Sequence, residues 1–343
     1  MTARSGILAG GNWIVDKLKF IDTWPQQDAL ANILSESVGN GGSPFNLLMN
    51  LARLGAPFSL AGIGLIGKDA DGEWISEQCA ASRINTEQLK IHLTAPTSYT
   101  DVMSVQSSGR RTFFHQRGAN AFLGDEHFDF GSTKAKIFHL GYLLLLDRMD
   151  EPDPEFGVVA ARTLQRARQA GCQTSIDVVS EDSRRFAKIV LPVLPFVDFC
   201  FLNEFELERT TGIATRQGQD IDLSALKTAA KIIIKAGVQK WVVVHFQEGA
   251  CALGRDGKFH IRTSLNIPLS KIVSTVGAGD AFAAGVLYAF HEGATIVTAL
   301  RYGTCAAAAC LCGAGASDGL GQLEKCLALE DAFGIRAGPG EAV

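Results

Sequence analysis

The sequence has little net charge and lacks the signals of membrane, secreted or nucleic-acid-binding proteins. Its 343 residues include 32 lysines and arginines against 36 aspartates and glutamates, a net charge of −4. This balance argues against nucleic acid or a membrane surface as a partner bound through a basic field. No apolar run is long enough to span a membrane. The opening residues lack the apolar core of a secretory leader, so we expect a cytoplasmic protein.

The sequence also lacks the spacings of several common catalytic and metal sites. The eight cysteines form no C-x-x-C pair and lie scattered in apolar segments, which is typical of free thiols in a reducing compartment. Cys310 and Cys312 lie close together, but no histidine follows at the spacing of a zinc site. The seven histidines form no H-x-x-x-H or H-E-x-x-H. Metal-dependent hydrolase chemistry therefore has no support.

Short apolar segments alternate with longer segments of helical periodicity. The apolar segments are 4–10, 57–64, 136–142, 172–178, 197–203 and 241–246. The helical segments are about 43–55, 71–83, 154–170, 183–194 and 222–236. This alternation predicts βαβ units, and hence an α/β fold with a doubly wound, mainly parallel sheet flanked by helices.

Two segments, residues 13–38 and 97–118, depart from this alternation. Both alternate apolar with polar residues, and the second contains a turn signal, SSGR, at 107–110. They predict a small antiparallel β-sheet, a lid, inserted into a core domain. The core domain would consist of residues 1–12, 39–96 and 119–335. The tail, residues 336–343, is predicted to be disordered.

A glycine-rich segment at 62–69, GIGLIGKD, matches G-x-G-x-x-G and nearly matches a phosphate-binding loop. A dinucleotide site needs its third glycine where a helix begins, whereas Gly72 is expected to delay the helix to about residue 73. A phosphate-binding loop needs a hydroxyl for magnesium where Asp69 stands. The apolar interior is more typical of a strand, so we disfavour both interpretations.

A second glycine-rich turn, within VSTVGAGDAFAAG at 273–285, leads into a long apolar helix. Gly277 and Gly279 let the backbone approach a ligand, and the N–H groups at a helix start attract anions. Asp280 beside such a cradle suits a base that takes a proton from an attacking hydroxyl in phosphoryl transfer. The alternative is that Asp280 only complements the helix dipole, worth about 0.3–1 kcal/mol.

Four motifs together resemble those of the ribokinase-like carbohydrate kinases. STVGAGDAFAAG (274–285) resembles their D-T-x-G-A-G-D-x-F signature, and GGSPFNLLMNLARLGA (41–56) resembles their double-glycine signature. GNWIVD (11–16) and NEFE (203–206) resemble their first-strand and N-x-x-E motifs. The resemblance extends over about residues 4–330. It implies a ribokinase-like fold and an ATP- and Mg²⁺-dependent kinase acting on a hydroxyl of a small sugar or sugar acid, of the fructose, ribose or 2-keto-3-deoxygluconate type.

The resemblance also implies roles for individual residues. The catalytic group would comprise the base Asp280 and an anion hole formed by Gly277, Ala278 and Gly279. The cofactor-binding group would comprise Asn203, Glu206 and Gly249, together with Gly277 and Gly279, and Glu206 would hold Mg²⁺ through water. The substrate-binding group would comprise Asp16, Gly41, Gly42 and Asn46. The lid would close over the sugar and pair with the lid of a second subunit in a homodimer.

Elementary physical chemistry supports parts of this assignment. Ser43 as an N-cap and Pro44 in the first turn predict a helix directly after the double glycine. Asn203 and Glu206 follow an apolar strand, where parallel sheets bind ligands, although a helix cap and a first-turn acid explain the pair equally well. Arg117, at the end of a lid strand, is a candidate for contacting an anionic or polyhydroxy substrate, and a solvated surface charge is the alternative.

Three positions depart from the family pattern. Ser274 replaces an aspartate that commonly helps to hold an activating monovalent cation, so dependence on potassium is doubtful. Phe246 stands where a G-x-x-G-A loop beside the nucleotide usually has glycine, and we expect it to reshape the nucleotide pocket. Val179 replaces the asparagine of a D-x-N-x-R motif that begins at Asp177.

Other functions remain open at this stage. A nucleoside kinase of the adenosine type shares the fold, and the apolar Phe45 is compatible with a flat base. The departures at Ser274 and Phe246 are also compatible with a catalytically impaired sugar-binding regulator. A nicotinamide-dependent dehydrogenase built on residues 62–67 is a remote third alternative.

Overall fold

The computed structural model of the chain describes residues 4–108 and 110–338. The strands are β1 (Ile7–Gly11), β2 (Ile14–Ile21), β3 (Ile33–Gly41), β4 (Leu60–Gly67), β5 (Asn85–His92), β6 (Ser98–Val105), β7 (Arg111–Gln116), β8 (Ile137–Leu143), β9 (Pro152–Asp153), β10 (Gly157–Val158), β11 (Gln173–Val178), β12 (Phe199–Asn203), β13 (Arg216–Gln217), β14 (Asp220–Ile221), β15 (Trp241–Phe246), β16 (Gly249–Gly254) and β17 (Phe259–Thr263). The α-helices are α1 (Ser43–Arg53), α2 (Ala70–Ala81), α3 (Val159–Gln169), α4 (Phe186–Val193), α5 (Glu204–Thr211), α6 (Leu223–Ala236), α7 (Ala278–His291), α8 (Ile296–Leu311) and α9 (Leu323–Phe333). Short 3₁₀ helices occupy Gly118–Phe122, Asp125–His127, Leu194–Phe196 and Leu269–Lys271.

A nine-stranded sheet forms the centre of the fold, in the order β17-β16-β15-β12-β11-β8-β1-β4-β5. Its strands run parallel from β15 to β5, and β16 and β17 continue it antiparallel. Helices cover both faces, which explains why the inner strands β1, β4, β8, β11, β12 and β15 are buried along nearly their whole length. Successive residues of β12 show this, because Phe201 packs on the side of α1, α2 and α7–α9 while Leu202 packs on the side of α3–α6.

A second sheet of four strands, in the order β3-β2-β6-β7, arises from the two segments that departed from the alternation. The β2–β3 and β6–β7 pairs are antiparallel, as expected, whereas the central β2–β6 pair is parallel. We call this sheet the lid. Two residues join β1 to β2, and β3 leads directly into α1, so the lid is attached where strands of the large sheet end. The division into lid and core domains stays a prediction.

Some elements begin or end at residues other than those predicted from the sequence. Helix α2 begins at Ala70 rather than near residue 73, because the side chain of Asp69 accepts a hydrogen bond from the N–H of Gly72 at 2.9 Å and caps the helix. The turn predicted at 107–110 includes residue 109, which lies outside the described residues. In the predicted tail, the N–H of Arg336 binds the carbonyl of Ser264 at 2.9 Å, and residues 339–343 lie outside the described part. No helix within the described ranges is long and apolar enough to cross a membrane.

Candidate active site

A cavity of about 450 Å³ lies between the carboxyl ends of the central strands and the lid. The large sheet contributes Tyr142 from β8, Asp177 from β11 and Asn203 from β12. The lid contributes Asp16 from β2, and helix α7 contributes Asp280. Open α/β sheets bind their ligands at this edge, so the cavity lies where a substrate site is expected.

Asp280 lies in the first turn of α7 and is only 7% exposed. Its Oδ2 accepts a hydrogen bond from Nδ2 of Asn46 at 2.8 Å, and the hydroxyl of Tyr142 lies 2.8 Å from both carboxylate oxygens. Burial, followed by the charge of Asp177, raises the pKa of Asp280 to about 7, although the two hydrogen bonds oppose this shift. A carboxyl with this pKa exchanges its proton near neutral pH, as a general base must.

The turn before Asp280 can accept an anion. Gly277 is the N-cap residue of α7 and has φ 74°, and a Cβ there would lie 2.4 Å from the Cβ of Ala316. The position therefore requires glycine. The helix's first backbone bond joins the N–H of Ala281 to the carbonyl of Gly277 at 2.8 Å, so the N–H groups of 277–280 have no partner within the helix. Together with the helix dipole they favour a phosphate oxygen.

A buried polar network lies behind the cavity. Ser43 Oγ donates to Asp177 Oδ2 at 2.7 Å and lies 2.9 Å from His139 Nε2, and His139 Nδ1 lies 2.9 Å from Ser175 Oγ. Ser43 is therefore not the N-cap of α1, as the sequence predicted, because that place belongs to Gly42 and the serine hydroxyl points to Asp177. The other oxygen of Asp177, Oδ1, is buried without a hydrogen-bond partner, although the residue lines the cavity.

Asp16 and the double glycine meet at the lid side of the cavity. A Cβ on Gly41 would lie 2.3 Å from Oδ1 of Asp16, and Gly42, with φ 80°, would place a Cβ 2.1 Å from the carbonyl of Asn12. Both glycines therefore allow close approach within the protein itself. Burial and the charge of Asp280 raise the pKa of Asp16 to about 8. Asp16, Gly42 and Asn46 line the cavity, whereas Gly41 does not line it and packs against the carboxylate of Asp16.

Asn203 and Glu206 form a reciprocal helix cap at the start of α5. Oδ1 of Asn203 accepts from the N–H of Glu206, and Oε2 of Glu206 accepts from the N–H of Asn203, both at 2.8 Å. Ser180 Oγ donates to Oε1 of Glu206 at 2.7 Å, and burial raises the pKa of Glu206 to about 8. Both residues also line the cavity. The capping interpretation thus accounts for their contacts, and their role in binding magnesium and phosphate stays a prediction.

Residues 14–322 match the family described as pfkB family carbohydrate kinase. The chain belongs to the pfkB family. A ribokinase of Arabidopsis thaliana is 28% identical over 251 residues, which are 73% of this chain and 61% of that relative. The chain therefore spans about three fifths of the length of that relative.

Solved structures show the same fold. The structure of Arabidopsis thaliana ribokinase complexed with ribose and ATP has a TM-score of 0.77 at 23% identity, over 96% of this chain and 99% of that one. A Methanocaldococcus jannaschii nucleoside kinase has a TM-score of 0.74 at 17% identity, over 96% of this chain and 100% of that one. The predicted family and the ribokinase-like fold are confirmed, and membership of the pfkB family supports a phosphotransferase.

Several residues for which the sequence of this pfkB-family chain suggested a role in binding do not line the cavity. The guanidinium of Arg117 donates to Asp147 at 2.9 Å. Gly249 lies in β16, where a Cβ would meet the carbonyl of Arg262 at 2.3 Å. Phe246 and Phe45 are buried in the core, 7% and 0% exposed, and neither lines the cavity.

The lid contributes side chains that no motif identified. Arg111, Phe113 and His115 all line the cavity, because alternate residues of β7 face it. Arg111 donates to the hydroxyls of Ser274, at 3.4 Å, and Thr275. His115 Nδ1 lies 3.0 Å from Thr100 Oγ1, and burial, then the charge of Arg117, lowers its pKa to about 4. The only available signal was that these three residues stand at alternate positions of the segment RTFFHQ at 111–116.

Two other cavity residues, Tyr142 and His245, were harder to identify from the sequence. Tyr142 and His245 are the next-to-last residues of β8 and β15, so both follow the rule that strand ends face ligands. The ring of His245 would lie 3.0 Å from a Cβ on Gly279, which explains why that position is glycine. Neither residue belongs to a recognisable motif.

The glycine-rich segment 62–67 forms part of strand β4 rather than a dinucleotide-binding loop. A Cβ on Gly62 or Gly64 would lie 2.4 or 2.2 Å from the ring of Trp13, whose Nε1 donates to the carbonyl of Ile63 at 2.8 Å. The glycines thus make room for a buried indole. This packing supports the strand interpretation.

Proposed function

We propose that this chain transfers the γ-phosphoryl group of ATP to a hydroxyl, preferably primary, of a small sugar or sugar acid. The observation that carries the proposal is the position of Asp280. It combines burial, a pKa near 7 and direct proximity to the N–H groups of 277–279, within the cavity between lid and core. Phosphoryl transfer needs a base for the acceptor hydroxyl beside a cradle for the transferring group, and this arrangement provides both.

The steps follow from these positions. The acceptor binds on the lid side, near Asp16 and Asn46, with one hydroxyl directed at Asp280. Asp280 takes the proton of that hydroxyl as its oxygen attacks the γ-phosphorus, and ADP leaves. The N–H groups at the start of α7 stabilise the charge on the phosphoryl oxygens. The closed lid excludes water, which would otherwise compete as the nucleophile.

The residues at this edge fit a magnesium ion bound with the nucleotide. Asp177 Oδ1 is buried without a partner, and Glu206 lies beside it in the cavity wall. Magnesium in nucleotide sites is usually held by one or two carboxylates, waters and the phosphates, so Asp177 and Glu206 would hold it, Glu206 through water. When bound, the ion neutralises charge on the phosphate oxygens.

The test is ADP release from Mg-ATP with fructose, ribose, 2-keto-3-deoxygluconate and adenosine, with and without potassium. We expect turnover on one sugar or sugar acid. Asp280→Asn should still bind that acceptor but lose at least ~100-fold in kcat, the contribution typical of a general base. Retained turnover in the variant would disprove the assignment of the base. An unchanged rate without potassium would show that Ser274 has removed that requirement.

A nucleoside kinase is a second candidate. Phe113 of the lid faces the cavity and is 58% exposed, which offers a flat apolar surface to a base. Turnover of adenosine without turnover of any sugar would decide for this candidate. Thermal stabilisation by sugar but none by ATP would instead favour a catalytically impaired regulator.

We also propose a homodimer formed through the lid. Both edges of the lid expose large apolar side chains, among them Ile33 and Val38 on β3, 53% and 55% exposed, and Phe114 on β7, 51% exposed. Unpaired, apolar strand edges favour pairing with another chain. A monomeric mass in light scattering would exclude the dimer.

A further inference from the structure

A tyrosine that no motif identified covers the proposed base. The hydroxyl of Tyr142 lies 2.8 Å from Oδ1 and 2.8 Å from Oδ2 of Asp280, and Asn46 donates to Oδ2 at 2.8 Å. A phenol has one proton, which it gives to one oxygen or shares between both. In either case it occupies the place that an acceptor hydroxyl must take in order to give its proton to Asp280.

The surroundings of Tyr142 keep its phenol protonated, so that it can only donate a hydrogen bond to Asp280 and not accept one. The titratable groups that interact with this pair are Asp177 from β11, Asp16 from β2, His139 from β8 and Cys310 from α8. Burial and the charge of Asp280 raise the pKa of the Tyr142 phenol, so it keeps its proton.

We propose that Tyr142 is a positioning residue that occupies the Asp280 carboxylate while the acceptor is absent and yields it to the acceptor hydroxyl. The proposal rests on the proposed function, in which Asp280 is the base. A sugar has further contacts in the cavity, and their binding energy can displace the phenol from the carboxylate. A single water molecule has no such contacts and must compete with the phenol directly. Tyr142 thus protects ATP from hydrolysis before the acceptor arrives.

The first experiment compares Tyr142→Phe with wild type, and with Tyr302→Phe as a matched control on α8 that does not line the cavity. ADP release from Mg-ATP is measured without acceptor and with the acceptor that wild type uses. We expect Tyr142→Phe to raise acceptor-free hydrolysis about 2- to 12-fold, the range that one hydrogen bond of ordinary net strength supports. The ratio of hydrolysis to acceptor phosphorylation should rise as well. Tyr302→Phe should change neither rate.

The second readout is the pH profile of kcat/KM. Without the phenol the carboxylate loses a donor that favours its charged form, so the acid limb should move upward by about one pH unit. A merely structural role would lower the rate at every pH and leave the limb in place. Phenylalanine fills the space of the ring, and the melting temperature verifies folding.

The outcomes separate this inference from the function on which it rests. Acceptor-free hydrolysis that stays unchanged or falls in Tyr142→Phe would overturn the inference, whatever the acceptor proves to be. Failure of wild type to phosphorylate any acceptor would count against the proposed function. The hydrolysis comparison would remain decisive for Tyr142 in that case, because it needs only ATP.

Discussion

Replacing Asp280 with asparagine should change how the stability of the protein depends on pH. Burial raises the pKa of this carboxyl from 3.8 to about 7, so between these values the folded state keeps a proton that the unfolded chain has released. A raised pKa contributes stability that is complete below the unfolded value and is lost as the pH rises through the folded value. Wild type should therefore lose stability from pH 5 to pH 8, and asparagine, which does not titrate, should remove this part of the loss.

The size of the effect follows from the two pKa values of Asp280. One pKa unit corresponds to about 1.4 kcal/mol, so the full shift costs the folded state about 4 kcal/mol, and about 3 kcal/mol of this develops between pH 5 and pH 8. Asparagine replaces one carboxylate oxygen with an NH₂ group, which weakens the hydrogen bonding to Asn46 and Tyr142 at a cost of about 1–3 kcal/mol at any pH. Asp280→Asn should thus be close to wild type at pH 5 and about 1–3 kcal/mol more stable at pH 8.

Urea unfolding followed by circular dichroism at pH 5, 6, 7 and 8 measures the difference. Asp182→Asn is the control, because that carboxylate is 99% exposed. Glu206, whose pKa is also raised to about 8, contributes equally in all three proteins and cancels in the comparison. The pKa of Asp16 is raised in part by the charge of Asp280, so removing that charge adds to the gain in stability of Asp280→Asn at pH 8. A difference between Asp280→Asn and wild type that stays constant across this range would refute the reasoning, since it would mean that Asp280 ionises as in an open chain.

Three further predictions concern the lid and use steady-state kinetics or light scattering. Asp16→Ala should raise the KM of the acceptor about 10-fold or more and leave the KM of ATP nearly unchanged, since it removes a polar contact on the acceptor side. Arg111→Gln should lower kcat/KM about 10-fold or more, whereas Arg117→Gln should stay within about 2-fold because its guanidinium lies off the cavity; equal effects would contradict the role that alternation gives to Arg111. Phe114→Ser should halve the mass of the proposed dimer, and an unchanged mass would place the interface elsewhere.

The fold was predictable for those elements whose own segment shows a clear period of apolar residues. The apolar segments became the central strands, and the helix predicted at 43–55 occurs at Ser43–Arg53, because burial on both faces of a sheet and on one face of a helix gives distinct periods. The parallel pairing of β2 with β6 was not predictable, since it joins segments about 80 residues apart and no local pattern specifies direction.

The site was predictable to the extent that it lies in contiguous motifs. The turn at 277–280 brings its glycines and Asp280 together by sequence alone, and the double glycine lies next to Asp16 in space as well as in the family pattern. Tyr142 was missed because its importance depends on a contact 138 residues away along the chain, between the end of β8 and the start of α7. A single tyrosine at the end of an apolar segment gives no sign of such a contact.

The serine at position 274, where the family pattern has aspartate, has to be interpreted together with Arg111, which contacts it. The missing carboxylate suggested a weakened cation site, but in the folded chain Ser274 and Thr275 accept hydrogen bonds from Arg111 of the lid. An aspartate at 274 would form an ion pair with that guanidinium, whereas serine leaves the full positive charge of Arg111 in the cavity beside the anion-binding turn. The net charge that a phosphate meets there is therefore more positive than with an aspartate at 274. A change of charge at one position of an active site has to be judged together with the side chain that contacts it.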